Sequence, residues 1–300
     1  MRGGGAIGAT SRNNGIVSGK FCAPGQESSY TCFDKQHLIE LAHEWNRSHK
    51  TTYKNIRTKH QTKRQIWEAL RKRMRKECSN EFCWVRHPLL RSKGGRIEKE
   101  SFRPKRPATW KKKPNEWLSN VDILRVLEQY ESIYQNFLFI GPVPIDFETA
   151  FSSKPRDCVA PELCQMNLHE WWKDGVRQIG VVFNLDPHDM DGSHWVALFV
   201  DLQGGLVQYY DSYGMREPDE VRVLMDNFVR QGRDLSRRTG PEFRILVNSK
   251  RHQFKNSECG VYCIHFITHM LEGGTFDEYV SNGINDRQMQ SFRNVFYNPL

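Results

Sequence analysis

The apolar positions of this chain follow two rhythms. Leu38, Ile39, Leu41, Ala42 and Trp45 recur at helical spacing behind a cap at Thr31 or Asp34. Ile66, Trp67, Leu70 and Met74 repeat that spacing with basic residues on the other face, and Cys83-Trp84-Val85 leads to His87-Pro88, which ends the pattern. Farther on, strands and helices alternate. Asn120 to Gln135 reads as a helix (Val121, Ile123, Leu124, Val126, Leu127), and Phe137 to Ile140 as a short strand, with Val143 to Phe147 continuing extended. Gln178 to Asn184 is apolar nearly throughout, as a strand covered on both faces should be. His194 to Asp201 and Leu206 to Asp211 are β-rich runs joined by the hairpin loop Leu202-Gln203-Gly204-Gly205. Val221 to Gln231 is helical, Arg244 to Asn248 a strand, and Cys259 to Leu271 a helix stopped by Gly273 and Gly274. Strands with segregated helices predict an α+β domain.

Charge divides the chain at about the point where the rhythm changes. Residues 1–114 hold 27 Lys+Arg against 9 Asp+Glu, and residues 115–300 hold 17 against 26, so the net +9 averages a basic front half and an acidic back half. The expected organisation is a flexible N-terminus over 1–30, a basic helical domain over 31–90, a basic linker or arm over 91–114 and a second domain over 115–300. With 38% hydrophobic residues, 8 Trp and 17 Phe, wholesale disorder is excluded. No apolar run reaches the roughly 18–20 residues of a membrane helix. The opening MRGGGAIGATSRNN has no apolar segment of the signal-peptide kind.

The eight cysteines (22, 32, 78, 83, 158, 164, 259, 263) are expected to be free thiols, since nothing in the sequence directs the chain to an oxidising compartment. A zinc set of Cys78, Cys83, His87 and either Cys22 or Cys32 is the alternative, but its spacing matches no standard structural site, so no metal is expected. Residues 54–113 contain 21 Lys+Arg against 5 Asp+Glu, interleaved with Tyr53, Trp67, Phe82, Trp84, Phe102 and Trp110. That mixture suits phosphate contacts with some base stacking. A solvated basic face that docks on the acidic half or on an acidic partner is the plainer reading.

Cysteine catalysis needs a nucleophile, a base, a group to orient the base and donors for the oxyanion. Cys259 lies at the start of an apolar helix, where the partial positive charge favours thiolate, and Gly260 admits close backbone approach behind it. His194 begins one strand of the hairpin. If Asp201 faces Leu206, His194 faces Tyr213 and Asp211 sits one diagonal step away, within reach of the imidazole. Gln253, six residues before Cys259, can offer an amide N–H beside the Cys259 backbone N–H. Trp195 can roof a narrow groove for small side chains such as glycine. Each residue alone has a plainer explanation: a core thiol, a sheet histidine with a turn carboxylate, a surface glutamine, a core aromatic.

Together, the order His194-Trp195, Asp211, Gln253, Cys259-Gly260 resembles the adenovirus-protease and SUMO-protease clan of cysteine proteases, over about Trp117-Leu118 to Gly273. Glu258 departs mildly from the Asp common before the nucleophile. The resemblance implies a papain-like core in which the helix bearing the nucleophile packs on a mixed sheet, here behind an N-terminal helical domain. It implies a catalytic triad of Cys259, His194 and Asp211, an oxyanion hole from Gln253 and Cys259, and Trp195 in the substrate groove. Phe139-Ile-Gly-Pro-Val-Pro-Ile-Asp-Phe147 and Phe183-Asn-Leu-Asp-Pro187 are most similar to polyprotein-processing proteases of large cytoplasmic DNA viruses, that of African swine fever virus among them. From this follow cleavage of core or capsid precursors after Gly-Gly-X motifs during virion maturation, a location in virions and host cytoplasm, and no required cofactor beyond DNA as an activator of the adenovirus kind. Removal of ubiquitin or SUMO-like modifiers is one alternative, and a nucleic-acid-binding structural protein on an inactive protease fold is another.

Overall fold

A computed structural model describes residues 21–26, 30–49, 54–90, 93–151, 157–236 and 240–298. The chain forms two compact units that meet between Arg103 and Pro104. The first unit contains α1 (Lys35–Ser48), α2 (Lys63–Met74), α3 (Glu81–Arg86) and α4 (Gly94–Ser101). Asp34 caps α1 by accepting from His37 N–H, and Thr62 with Gln65 forms a capping box on α2, so both helices start where a side chain meets the orphan donors. The apolar stripes read from the sequence meet in one core that includes Leu38, Leu41, Trp45, Ile66, Trp67 and Leu70.

Four sequence expectations change here. Six cysteines are paired rather than free, as Cys22–Cys32, Cys78–Cys83 and, in the second unit, Cys158–Cys164, with Cα atoms 4.9, 5.3 and 6.8 Å apart. Folding brings each pair within bridging distance, which spacing alone does not reveal. It also consumes the thiols a zinc set would need. The stretch 91–114, expected as linker, holds α4 and a 3-10 turn at Ala108–Lys111, anchored by the buried Ile97, Phe102 and Trp110. Single apolar anchors in a Lys/Arg-rich run are easily missed by composition. Likewise Cys22, placed in the flexible 1–30 segment, is buried and bridges to Phe102, while residues 1–20 lie outside the described residues. The aromatics among the basic residues are core: Trp67, Phe82, Trp84, Phe102 and Trp110 are all buried, Trp110 also lining a surface cavity, and Tyr53 lies outside the described residues.

The second unit is built on five strands: β1 (Phe137–Pro144), β2 (Gln178–Asn184), β3 (Trp195–Asp201), β4 (Leu206–Tyr210) and β5 (Arg244–Val247). They lie in sequence order, with β1 and β2 parallel, β2–β3 and β3–β4 antiparallel, and β4 and β5 parallel. Side-chain alternation gives the sheet two buried faces. Trp195, Ala197 and Phe199 of β3 enter one core with α5 (Asn120–Ile133), α9 (Cys259–Leu271), α10 (Phe276–Asn282) and α11 (Asp286–Phe296). Val196, Leu198 and Val200 enter the other, with the short helices α6 (Pro161–Cys164) and α7 (Leu168–Lys173) and with α8 (Asp219–Ser236). Gly180 of β2 lets α9 lie close, since a Cβ there would sit 2.8 Å from the Phe137 ring and 3.3 Å from Ile267. The fold is therefore α+β, with an apolar central helix laid on a mixed sheet. No described helix is long and apolar enough to cross a membrane.

Candidate active site

The hairpin of β3 and β4 sets the site. Asp201 pairs with Leu206 and Ala197 with Tyr210, the register the loop length predicts. Continued past the strand ends, it brings His194 opposite Tyr213, and their rings stack with centroids 4.5 Å apart. Asp211 falls where the diagonal argument put it, its Oδ1 accepting from His194 Nε2–H at 2.6 Å. Asp211 is 1% exposed, so its charge is met by protein donors. Oδ1 also accepts from Tyr213 N–H at 2.9 Å, and Oδ2 from Met215 N–H at 3.2 Å.

Burial alone would push His194 toward the neutral form. Hydrogen bonds and charge interactions with Asp211 and Cys259 outweigh it and hold the imidazole pKa up at about 9. One ring nitrogen is thus engaged by Asp211 and the ring also interacts with Cys259, the arrangement an imidazolium–thiolate pair requires.

Cys259 opens α9 and is 2% exposed. Glu258 precedes it without capping the helix by its side chain, because that carboxylate is turned to Arg293 of α11, whose Nε–H donates to Oε2 at 2.7 Å. Arg293 Nη2 also donates to Ser257 O at 3.1 Å. The loop bearing Cys259 is thereby stapled to the last helix while the first N–H groups of α9 stay clear of side-chain caps. On its other side Gly260 admits Leu118 and Ile123, which a Cβ would meet at 3.0 and 3.2 Å. Trp195 Nε1–H donates to Leu118 O at 3.0 Å and fixes the same segment.

Gln253 is fully buried rather than a surface residue of a polar loop. Its Nε2 donates to Lys255 O at 2.6 Å, and since a carbonyl only accepts, the amide orientation is fixed. Oε1 then faces Ser212, whose hydroxyl donates to it at 2.6 Å. The backbone carbonyl of Ser212 receives the N–H groups of His252 and Gln253 at 2.9 and 2.8 Å, so the residue after Asp211 also positions the glutamine. Beside it, burial lowers the His252 pKa; Nε2–H donates to Val280 O, leaving Nδ1 to accept from Tyr210 OH.

Two residues of the site escaped the sequence reading. Asn248 is buried and spans Asp211: its Oδ1 accepts the Asp211 N–H at 2.8 Å and its Nδ2 donates to Asp211 O at 2.9 Å. Its place at the end of a predicted strand was visible, but its partner, 37 residues away, was not. Ser212 read only as part of a turn. The remaining free thiol, Cys263, lies one turn along α9 and is fully buried, which pushes its pKa far up and leaves it unreactive.

Two surface grooves flank these residues, and Trp117, 41% exposed, lines both. One, of about 570 Å³, runs past His194, Trp195, Leu118 and Pro144 and has an acidic margin at Glu116, Asp186 and Asp191. The other is basic and aromatic, with Tyr213, Arg251, Phe254 and Lys255. Among the described residues, no group of three or more His, Cys, Asp or Glu side chains is arranged to hold a metal.

The mixed sheet, the central helix and this constellation define a papain-like thiol peptidase. Residues 164–299 match the model of the Ulp1 protease family, C-terminal catalytic domain. A putative thiol protease of Acanthamoeba polyphaga mimivirus is 32% identical over 92% of this chain and 92% of its own length. A protein of African swine fever virus named SUMO-1 cysteine protease is 27% identical over 77% of this chain and 86% of its own length. The crystal structure of an African swine fever virus protease shares the fold with a TM-score of 0.65, covering 95% of this chain and 98% of that one at 21% identity. The chain belongs to the Ulp1 family of cysteine peptidases.

Proposed function

We propose that this chain is a viral endopeptidase that cleaves core or capsid polyprotein precursors after Gly-Gly-X-type motifs during virion maturation. The observation that carries the reading is His194 held between Asp211 and Cys259 at the start of α9, with Gln253 fixed on Ser212, the residue after Asp211. In this mechanism the Cys259 thiolate attacks the scissile carbonyl carbon. The oxyanion is received by the Cys259 N–H and by the Gln253 amide, whose second N–H is not committed to Lys255. His194, protonated and steered by Asp211, gives its proton to the leaving amine as the acyl-enzyme forms, then takes one from water for deacylation. Each role is met by a side chain or backbone group of the chain, so the step needs no metal. Trp195, held against Leu118, together with Trp117 and Pro144, favours small residues in the groove beside the thiol.

The test is cleavage of a Gly-Gly-X peptide by purified protein. Cys259→Ala and His194→Ala are expected to lose at least about a thousandfold in kcat while staying folded, His194→Ala with a lower Tm because it leaves Asp211 without its partner. Undiminished turnover by either variant sinks the reading.

A second reading keeps the chemistry and changes the substrate to ubiquitin or SUMO-like conjugates. The word SUMO in the name of the African swine fever virus relatives favours it. Parallel digestion of a modifier conjugate and a viral precursor separates the two. The inactive-fold alternative is set aside by membership of a peptidase family. In the same proposal the protease acts in virions and host cytoplasm, and the basic 54–113 region holds it to DNA or an acidic partner.

A further inference from the structure

Beside Arg293, on the surface of the second unit, lies a cavity of about 320 Å³ lined by Arg106, Arg287, Arg293, Trp110 and Pro114 among others, with no carboxylate in its lining. Three guanidinium groups around one small cavity repel one another, and here they are incompletely met. Arg293, its side chain 4% exposed, spends Nε on Glu258 and Nη2 on Ser257 O, while its buried Nη1 has no acceptor. Arg106 gives Nη2 to Asn294, and its buried Nε likewise has no acceptor. Buried polar groups are nearly always paired, so two orphaned cationic donors at one cavity mark a missing anionic partner.

We propose that this pocket binds a carboxylate of an acidic peptide segment, from a substrate or a partner protein. The unmet donors, Arg293 Nη1 and Arg106 Nε, can each meet an oxygen of a carboxylate. The Trp110 ring, with the Arg293 guanidinium 4.5 Å from its centroid, and Pro114 supply an apolar wall for the chain that carries the carboxylate. A nucleic acid backbone would call for a long basic track, whereas this cavity is small, at about 320 Å³. Arg293 joins the pocket to the residue before Cys259, so its occupant bears on the nucleophile's loop. That consequence rests on the proposed catalytic role; binding itself does not.

The experiment is titration of the full-length chain with acetyl-Ala-Glu-Glu-Ala-amide, followed by calorimetry and by the Trp110 indole N–H resonance. Arg106→Gln and the exposed Arg287→Gln serve as variants, and Arg293 is left intact because it also holds Glu258. Saturable binding is expected, weakened about tenfold or more in Arg106→Gln and more modestly in Arg287→Gln, and absent with the Gln-Gln peptide. Equal binding of the neutral peptide, or unchanged affinity in both variants, overturns the proposal. So does displacement of the peptide by duplex DNA, or an equal response to inorganic phosphate, either of which assigns the pocket to another anion. No turnover is read, so failure here leaves the catalytic reading untouched, and loss of that reading leaves the pocket's binding intact.

Discussion

At the scale of single residues, the site turns on one imidazole. His194 has its pKa raised from 6.5 to about 9, against the effect of burial, by Asp211 and Cys259. The folded state therefore prefers a protonated His194; that contribution to stability is complete below pH 6.5 and is lost as pH rises through about 9. For catalysis, the basic limb of kcat/KM for a Gly-Gly-X peptide should fall near pH 9. Asp211→Asn should move that limb down toward 6.5 and reduce kcat on the order of 10³–10⁴-fold, as removal of the orienting carboxylate does in serine triads. An unmoved limb would mean that Asp211 does not set the proton on His194. Asn248 acts one step farther out. Asn248→Ala strands the buried N–H of Asp211, whose C=O keeps the Gly214 N–H, at a cost of about 1–3 kcal/mol. Its signature should be a lower Tm and a lower kcat with KM little changed.

At the scale of elements, periodicity carried most of the argument. β2 and α9 have the bounds that their apolar runs predict, and the β3–β4 register follows from the loop. His194, Asp211 and Cys259 were legible because they sit at ends of such regular elements. What was not legible depended on partners far away in the chain. The helices α6, α7, α10 and α11 are short or lie outside the strongest apolar runs, and Arg293 reads as an ordinary surface arginine until Glu258 is placed beside it. The linker expected over 91–114 failed for a related reason: a few buried anchors outweighed the composition around them. Close packing at element crossings is testable too. Gly260→Ala puts a methyl 3.0 Å from Leu118 Cβ at the crossing of α9 and the segment before α5. The expected loss is about 1–3 kcal/mol by thermal or urea unfolding. Activity should fall with it, because the displaced segment carries the Trp195 contact; full stability would show that the crossing has slack.

At the scale of the whole molecule, the two units share a chain but not a chemistry. Every group described around Cys259 belongs to the second unit, and described aromatics of the basic, helical first unit, such as Phe33, Trp67 and Trp84, are spent on that unit's own core. With three disulfides among eight cysteines, thiol titration of the unfolded, unreduced chain should find two groups, Cys259 and Cys263; in the native protein alkylation should stop at Cys259. Eight reactive thiols in the unfolded chain would return the cysteines to the free state that the sequence suggested. If the basic region contacts phosphates, affinity for a DNA duplex should drop steeply between low and physiological salt. The ion pair between Glu258 and Arg293 has a further consequence, in time rather than space. Synthesis runs from the N-terminus, so Glu258 emerges 35 residues ahead of the arginine that neutralises it. Until α11 has followed, burying that carboxylate is unfavourable and the loop bearing Cys259 lacks its anchor. The loop bearing Cys259 is therefore complete in sequence before it is anchored in space, and its last tether arrives only with α11.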